Sequence, residues 1–243
     1  MHRVSCGSVA AQFVSARTCV RKGVSGLAQF SDLGHNGAMS YVEMHPENPQ
    51  PRFITRAVDI LKQGGTIALP TDSGYAIATA LGNKDGMDVI RSIRKLDDKH
   101  NFSLLCHSFA QLGELVIVGN SEFRTIKALT PGAYTFILKG TKEVPRMTLN
   151  KKKHTVGVRI PDHVITQRLV EAMGEAILCS TLIMPGEDEP LTDGFEVDER
   201  IGKQVDLVLV GPVGEAEPTT VIDFSEGAPV VVRKGAGDTD LFE

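Results

Sequence analysis

The chain has 243 residues, the length of one domain with an extension. Hydrophobic residues make up 42% and charged residues 23%, a globular balance, and no apolar run reaches the roughly 18 residues of a membrane span. A formal net charge of −4 excludes a surface that is basic all round, so any basic patch must be local.

Residues 1–38 stand apart. Arg3, Arg17, Arg21 and Lys22 face a single acid, Asp32, and this net +3 leaves −7 for residues 39–243. Small residues and serine with few acids are allowed in an organelle transit peptide. A disordered tail, or a stretch ahead of a true start at Met39 or Met44, are the competing readings. In each case the segment lies outside the fold, which is expected over 39–243. Cys6, Cys19, Cys106 and Cys179 form no C-x-x-C pair, and reduced core thiols at 106 and 179 fit a reducing compartment such as the cytoplasm.

Taken in order, Asn48 caps a helix with Pro49 at its first position, and Phe53, Ile54, Ala57, Val58 and Leu61 recur at helical spacing. Gly64 stops it. Thr66 to Leu69 reads as a buried strand ended by Pro70, and Tyr75 to Ala80 as a second. Asn83 starts a helix with Met87, Ile90 and Ile93 on one face, and Arg91, Arg94 and Lys95 on or near the other. Phe102 to Cys106 is a strand ending at His107. A helix runs from Asn120 through Leu129, followed by a strand from Ala133 to Leu138. The basic stretch Lys139 to Lys153 lacks apolar periodicity and reads as a mobile loop. Thr155 to Ile160 is a strand, Val164 to Met173 a helix ended by Gly174, and Ala176 to Cys179 a strand leading into Ser180 and Thr181. Residues 184–194 read as loop. Val205 to Val210, Thr219 to Asp223 and Val230 to Val232 are three more strands. Helices alternating with strands predict an α/β fold with a twisted open sheet of mixed direction and flanking helices.

The polar residues at the strand ends are Thr71, Asp72 and Ser73; His107; Thr155 and Arg159; Ser180 and Thr181; Thr219 and Thr220; and Arg233. In open α/β sheets ligands sit beyond the carboxyl ends of strands. Hydroxyls and guanidiniums predominate, a set suited to an anion, because arginine grips carboxylates and phosphates through charge-assisted hydrogen bonds. Each member has a plainer reading: Thr71 to Gly74 is compatible with an ordinary turn, His107 with a helix cap, and Lys151 to Lys153 with a solvated charge run. The phosphate-binding signatures G-x-x-x-x-G-K-[ST] and G-x-G-x-x-G are absent.

Gly65-Thr66-Ile67-Ala68-Leu69-Pro70-Thr71-Asp72-Ser73-Gly74-Tyr75 resembles the opening motif of the YrdC-like family, the threonylcarbamoyl-AMP synthases. Pro131 to Leu138, Thr155-Val156-Gly157-Val158-Arg159-Ile160-Pro161, Thr219 to Asp223 and Val232-Arg233-Lys234-Gly235 resemble its later motifs, in order, over residues 45–238, with the greatest likeness to the YciO branch. The resemblance implies a concave groove in a twisted sheet. It also implies a nucleotidyltransferase-type reaction in which L-threonine, bicarbonate and ATP, with Mg2+, give threonylcarbamoyl-AMP and pyrophosphate for modification of tRNA adenosine. By matching position, Thr71, His107, Arg159 and Thr220 would hold threonine, and Arg94, Thr155, Ser180 and Arg233 would hold ATP. No protein metal ligand or covalent catalytic residue is implied. Two motifs depart from the pattern: K-x-R falls on Arg94-Lys95-Leu96, and S-x-N on Ser180-Thr181-Leu182. Both departures lie in the nucleotide half. The alternative on the same scaffold is a non-synthase protein that binds nucleotide, tRNA or double-stranded RNA.

Overall fold

The computed structural model describes residues 41–97, 100–214 and 216–242. The leader reading falls on residues outside this range.

The first helix, α1 (Pro51–Lys62), buries Ile54, Ala57, Val58 and Leu61, the stripe read from the sequence. Its cap is Gln50 with Pro51 at N1, two residues later than expected. Asn48 instead donates its backbone N–H to His45 Nδ1 at 3.1 Å, which closes the turn ahead of the helix. The helix α2 (Lys84–Arg94) starts where expected, because the Asn83 side chain accepts from the Gly86 N–H. The remaining helices are α3 (Phe109–Leu115), α4 (Asn120–Ala128), α5 (Val164–Met173) and α6 (Gly194–Ile201). Periodicity did not reveal α3 or α6, which have only seven and eight residues. Ser108, not His107, caps α3, its side chain accepting from the Gln111 N–H.

Among the described residues, ten strands form one sheet: β1 (Tyr41–Glu43), β2 (Thr66–Thr71), β3 (Gly74–Ala80), β4 (Ser103–Leu105), β5 (Tyr134–Lys139), β6 (Thr155–Arg159), β7 (Ile177–Thr181), β8 (Leu207–Val210), β9 (Thr220–Asp223) and β10 (Val230–Arg233). Their order is β1-β8-β2-β3-β7-β4-β6-β5-β9-β10, with parallel and antiparallel neighbours mixed as expected. Two strand ends differ from the sequence reading. Pro70 does not end β2 but pairs with Tyr75 across a tight hairpin, because only the edge of a proline that lacks N–H is denied a partner. Strand β7 runs on past Cys179 through Ser180 and Thr181, which pair with Ile77 and Ala76. Tyr75 is fully buried, its hydroxyl donating to the Gly211 carbonyl at 3.0 Å, and burial pushes its phenol up to about 12.

The sheet separates two apolar clusters. On one face α1 and α5 pack on Ile67, Leu69, Ala76, Ala78, Leu207 and Leu209. On the other, α2, α3, α4 and α6 pack on Ala68, Ile77, Leu104, Phe136, Val158 and Val208. Strands β5, β6 and β9 contribute side chains to this second cluster only. Among the described residues, no helix cluster covers their opposite face, on the side of α1 and α5, which forms the floor of a groove. Cys106 and Cys179 are free and buried, and burial pushes both thiols up to about 12, so neither is a ready nucleophile. Among the described residues, no helix is long and apolar enough to cross a membrane.

Candidate functional site

Side chains alternate along a strand, so one face of β6 carries Val156 and Val158 into the core. The other presents Thr155, Gly157 and Arg159 to a cavity of about 440 Å³. Across five adjacent strands, Cys179, Ser103, Gly157, Ile137 and Asp223 stand in one row of the sheet and all line this cavity. The centre of the row is small by composition. A Cβ added at Gly157 would lie 2.9 Å from Ser103 Oγ and 3.1 Å from Thr135 Cγ2, so only glycine keeps the floor open.

Five of the eight residues singled out from the sequence line the cavity: Arg94, Thr155, Arg159, Ser180 and Arg233. Arg94 comes from the end of α2 and donates to Ser180 Oγ at 2.5 Å and to the Ile183 carbonyl at 3.2 Å. Arg233, at the end of β10, donates through Nε and Nη2 to the Thr219 carbonyl at 3.0 and 2.8 Å. Desolvation first, and then the nearby Arg233, lowers the Arg94 guanidinium to about 10. The Arg233 guanidinium is lowered by burial and by Arg159. Three guanidiniums share one hollow and repel one another, a charge that an anion would offset.

Arg159 is 3% exposed. It donates Nη1 to Ser73 Oγ at 3.1 Å and Nη2 to Asp72 Oδ1, and its Nε has no partner among the described residues. Each Nη carries a second N–H, so Asp72 and Ser73 orient the group while using two of its five donors. Asp72 is fixed in turn by the Asp162 N–H at 2.9 Å. Thr71 therefore stands one layer behind the cavity wall. Its hydroxyl donates to the Gly74 carbonyl at 2.7 Å and accepts from the Ser73 N–H at 3.2 Å, holding the turn that aims Ser73 and Asp72 at Arg159.

His107 and Thr220 do not line the cavity. The backbone N–H of His107 donates to Gln111 Oε1 at 2.9 Å. The Thr220 hydroxyl is fully buried, donating to the Gly237 carbonyl at 2.6 Å and accepting from the Gly235 N–H at 3.0 Å. On β9 the residues that face the cavity are Val221 and Asp223, and Thr219 just before the strand shares their side. Strand alternation groups Thr219 with Val221 and Asp223, but which side of the strand meets the hollow is set by the fold.

Sequence reasoning also passed over Thr135, Asn150 and His100. The Thr135 and Thr219 hydroxyls are 2.8 Å apart. His100 Nε2 lies 3.2 Å from Ser180 Oγ, and burial, then Arg94, lowers its imidazole to about 4. It is thus a neutral hydrogen-bonding group at pH 7. At the departures from the family motifs, Leu182 is fully buried in the core, and neither it nor Leu96 lines the cavity. Lys153 does line it and pairs with Glu226 at 2.6 Å. The walls thus hold four cations against one acid, Asp223. Among the described residues, no group of three His, Cys, Asp or Glu is placed to hold a metal ion. The donor set suits phosphate or carboxylate oxygens.

Residues 59–235 match the Sua5/YciO/YrdC family, whose description reads "Telomere recombination". The chain is 48% identical over 199 residues to YciO of Escherichia coli K12, covering 82% of this chain and 97% of that one. The crystal structure of Escherichia coli YciO superposes with a TM-score of 0.81, covering 84% of this chain and 98% of that one. The threonylcarbamoyl-AMP synthase of Halorhodospira halophila is 26% identical over 185 residues, covering 75% of this chain and 96% of the synthase. Sua5 of P. abyssi, crystallised with L-threonine, shares the fold at a TM-score of 0.73 and 24% identity, covering 80% of this chain and 57% of Sua5.

Proposed function

The chain belongs to the Sua5/YciO/YrdC family, and on that footing we propose that it is a threonylcarbamoyl-AMP synthase-like enzyme serving tRNA modification. It converts L-threonine, bicarbonate and ATP to threonylcarbamoyl-AMP and pyrophosphate. The observation that supports this reading is the convergence of Arg94, Arg159, Ser180 and Arg233 on one cavity from four separate elements.

In this reading the threonine amino group and bicarbonate lose water to form a carbamate. A carbamate oxygen attacks the α-phosphorus of ATP, and pyrophosphate leaves with the electron pair of the broken P–O bond. Arg159, pre-aimed by Asp72 and Ser73, offers its remaining N–H groups to the threonine carboxylate. Arg94 and Arg233 offset the charge that grows on the phosphates, and Ser180 and Thr155 orient them. Among the described residues no His, Cys, Asp or Glu cluster would hold magnesium, which would come with ATP and would supply further neutralisation of phosphate charge beside Arg94 and Arg233. No protein group changes covalent partner, so the rate enhancement comes from positioning and preorganised charge.

The test is threonine-dependent pyrophosphate release from ATP in bicarbonate buffer, with a bona fide synthase alongside as positive control. Release that appears only when all three substrates are present, and is lost in Arg233→Ala, supports the reading. No turnover by folded protein removes it. A second reading, a non-synthase binder of nucleotide, tRNA or double-stranded RNA, draws on the exposed turn Lys151–Lys153 at the mouth of the groove. It requires affinity for RNA that falls steeply with salt.

A further inference from the structure

The run Lys151-Lys152-Lys153, which reads from sequence as a solvated charge stretch, is divided between two hollows. Lys153 lines the inner cavity with Arg94, Arg159 and Arg233. Lys151 and Lys152 line an outer hollow of about 860 Å³ between α2 and the loop that joins β5 to β6. Asn150 sets the division. Its side chain donates to Asn101 Oδ1 at 3.1 Å and accepts from the Lys152 and Lys153 N–H groups at 3.0 Å each. Its carbonyl accepts from the His154 N–H at 2.9 Å, and its own N–H donates to the Thr155 carbonyl at 2.8 Å. Lys153 therefore projects from a braced turn.

The Lys153 ammonium meets carboxylates on the far side of β5. Its Nζ lies 2.6 Å from Glu226 Oε1 and 3.9 Å from Asp223 Oδ2. Strand β5 lies between β6 and β9, so this contact spans it, from the turn before β6 to the turn after β9. The two acids differ. Asp223 lines the cavity, and its Oδ1 accepts from the Ser225 N–H at 2.7 Å, which commits it to its own turn. Glu226 lies outside the lining, and its side chain is 74% exposed. An exposed carboxylate gives up an ion pair at little cost, because water replaces the partner.

Resting on the reading of the inner cavity as a polyphosphate site, we infer that Lys153 is a fourth phosphate-binding residue, which Glu226 holds at the rim and which the phosphate oxygens of the ligand take over. Without ligand, the Lys153–Glu226 pair spares the three guanidiniums a further unbalanced like charge. With ligand, the ammonium exchanges one anionic partner for another and Glu226 returns to water. The long, flexible lysine stem permits the exchange, whereas Arg94, Arg159 and Arg233 are fixed by hydrogen bonds to the protein. Leu96, where the family motif carries a cation, does not line the cavity, and Lys153 supplies that charge from another element.

The test is calorimetric titration of inorganic tripolyphosphate and of ATP, at constant ionic strength, into the unmodified protein, Lys153→Ala, Glu226→Gln, the double variant and Lys152→Ala. The substituted positions lie in exposed turns, and circular dichroism and melting temperature establish that each variant folds. Lys153→Ala is expected to weaken both ligands about 3- to 10-fold. Glu226→Gln is expected to tighten both about 2- to 5-fold. That gain is expected to vanish in the double variant, because the lysine that Glu226 restrains is gone. Lys152→Ala, which alters the outer hollow, is expected to leave tripolyphosphate affinity within about 2-fold. A gain from Glu226→Gln that persists without Lys153 would mean that Glu226 acts through the general field, and overturns the inference. Unchanged affinity in Lys153→Ala, or an equal loss in Lys152→Ala, also overturns it. Each of these outcomes leaves the inner polyphosphate site standing. Failure of the unmodified protein to bind either ligand overturns the polyphosphate reading itself, and this inference with it.

Discussion

The two halves of the sheet are made from similar strands and put to opposite uses. In β2 and β8 both faces are apolar and both are covered, Ile67 and Leu69 by α1 and α5, and Ala68 and Val208 by the helices opposite. In β5, β6 and β9 one face is core and the other carries Thr135, Thr155, Gly157, Arg159 and Asp223 into a hollow. The covered half supplies stability by burying surface. The bare half keeps polar groups dry enough to be strong and open enough to meet a ligand. The comparison teaches that the candidate site lies where, among the described residues, this sheet has no helix layer.

The sharpest way to break that contrast is Asp72→Ala. It strips the ionic partner from Arg159, which is 3% exposed, and leaves a buried charge unpaired. A loss of about 3–5 kcal/mol in urea denaturation is expected, although the residue belongs to the ligand-facing half. Leu69→Ala in the covered half is expected to cost about 2–5 kcal/mol with no change in ligand affinity per folded molecule. Gly157→Ala crowds Ser103 and Thr135 on the groove floor, and about 1–3 kcal/mol of destabilisation should accompany a clear loss of ATP affinity in the same preparation. Equal behaviour of Leu69→Ala and Gly157→Ala in the binding assay would erase the distinction between the halves.

The smallest effect concerns pH. The His100 imidazole is lowered from the ordinary 6.5 to about 4. As pH falls below 6.5 the unfolded chain takes up a proton that the folded chain refuses until about pH 4. This term therefore removes stability across that window and is silent above it. His100→Asn should make the decline of denaturation midpoint between pH 6.5 and 4 shallower. An unchanged slope would mean that the imidazole beside Ser180 is not held neutral.

Much of this was legible in the residues. The caps at Asn83 and Gly174, the stripe from Ile54 to Leu61, and the strands at 155–159 and 220–223 follow from local propensity and period. The short helices α3 and α6 were not, because seven or eight residues hold too few turns for a stripe to stand out. His100 was passed over because nothing near it in sequence marks it. Its importance comes from Ser180, eighty residues away.

By itself, then, the sequence determined the alternating elements, the motif order and the cationic character of the strand ends, since these depend on neighbours along the chain. Only the tertiary structure decided that Thr219 rather than Thr220 faces the hollow, that Thr71 stands behind Arg159, and that the lysine run is split between two cavities. Those outcomes depend on strand order and on which sheet face lacks helices. Both are fixed by long-range burial of apolar surface, which no local pattern encodes.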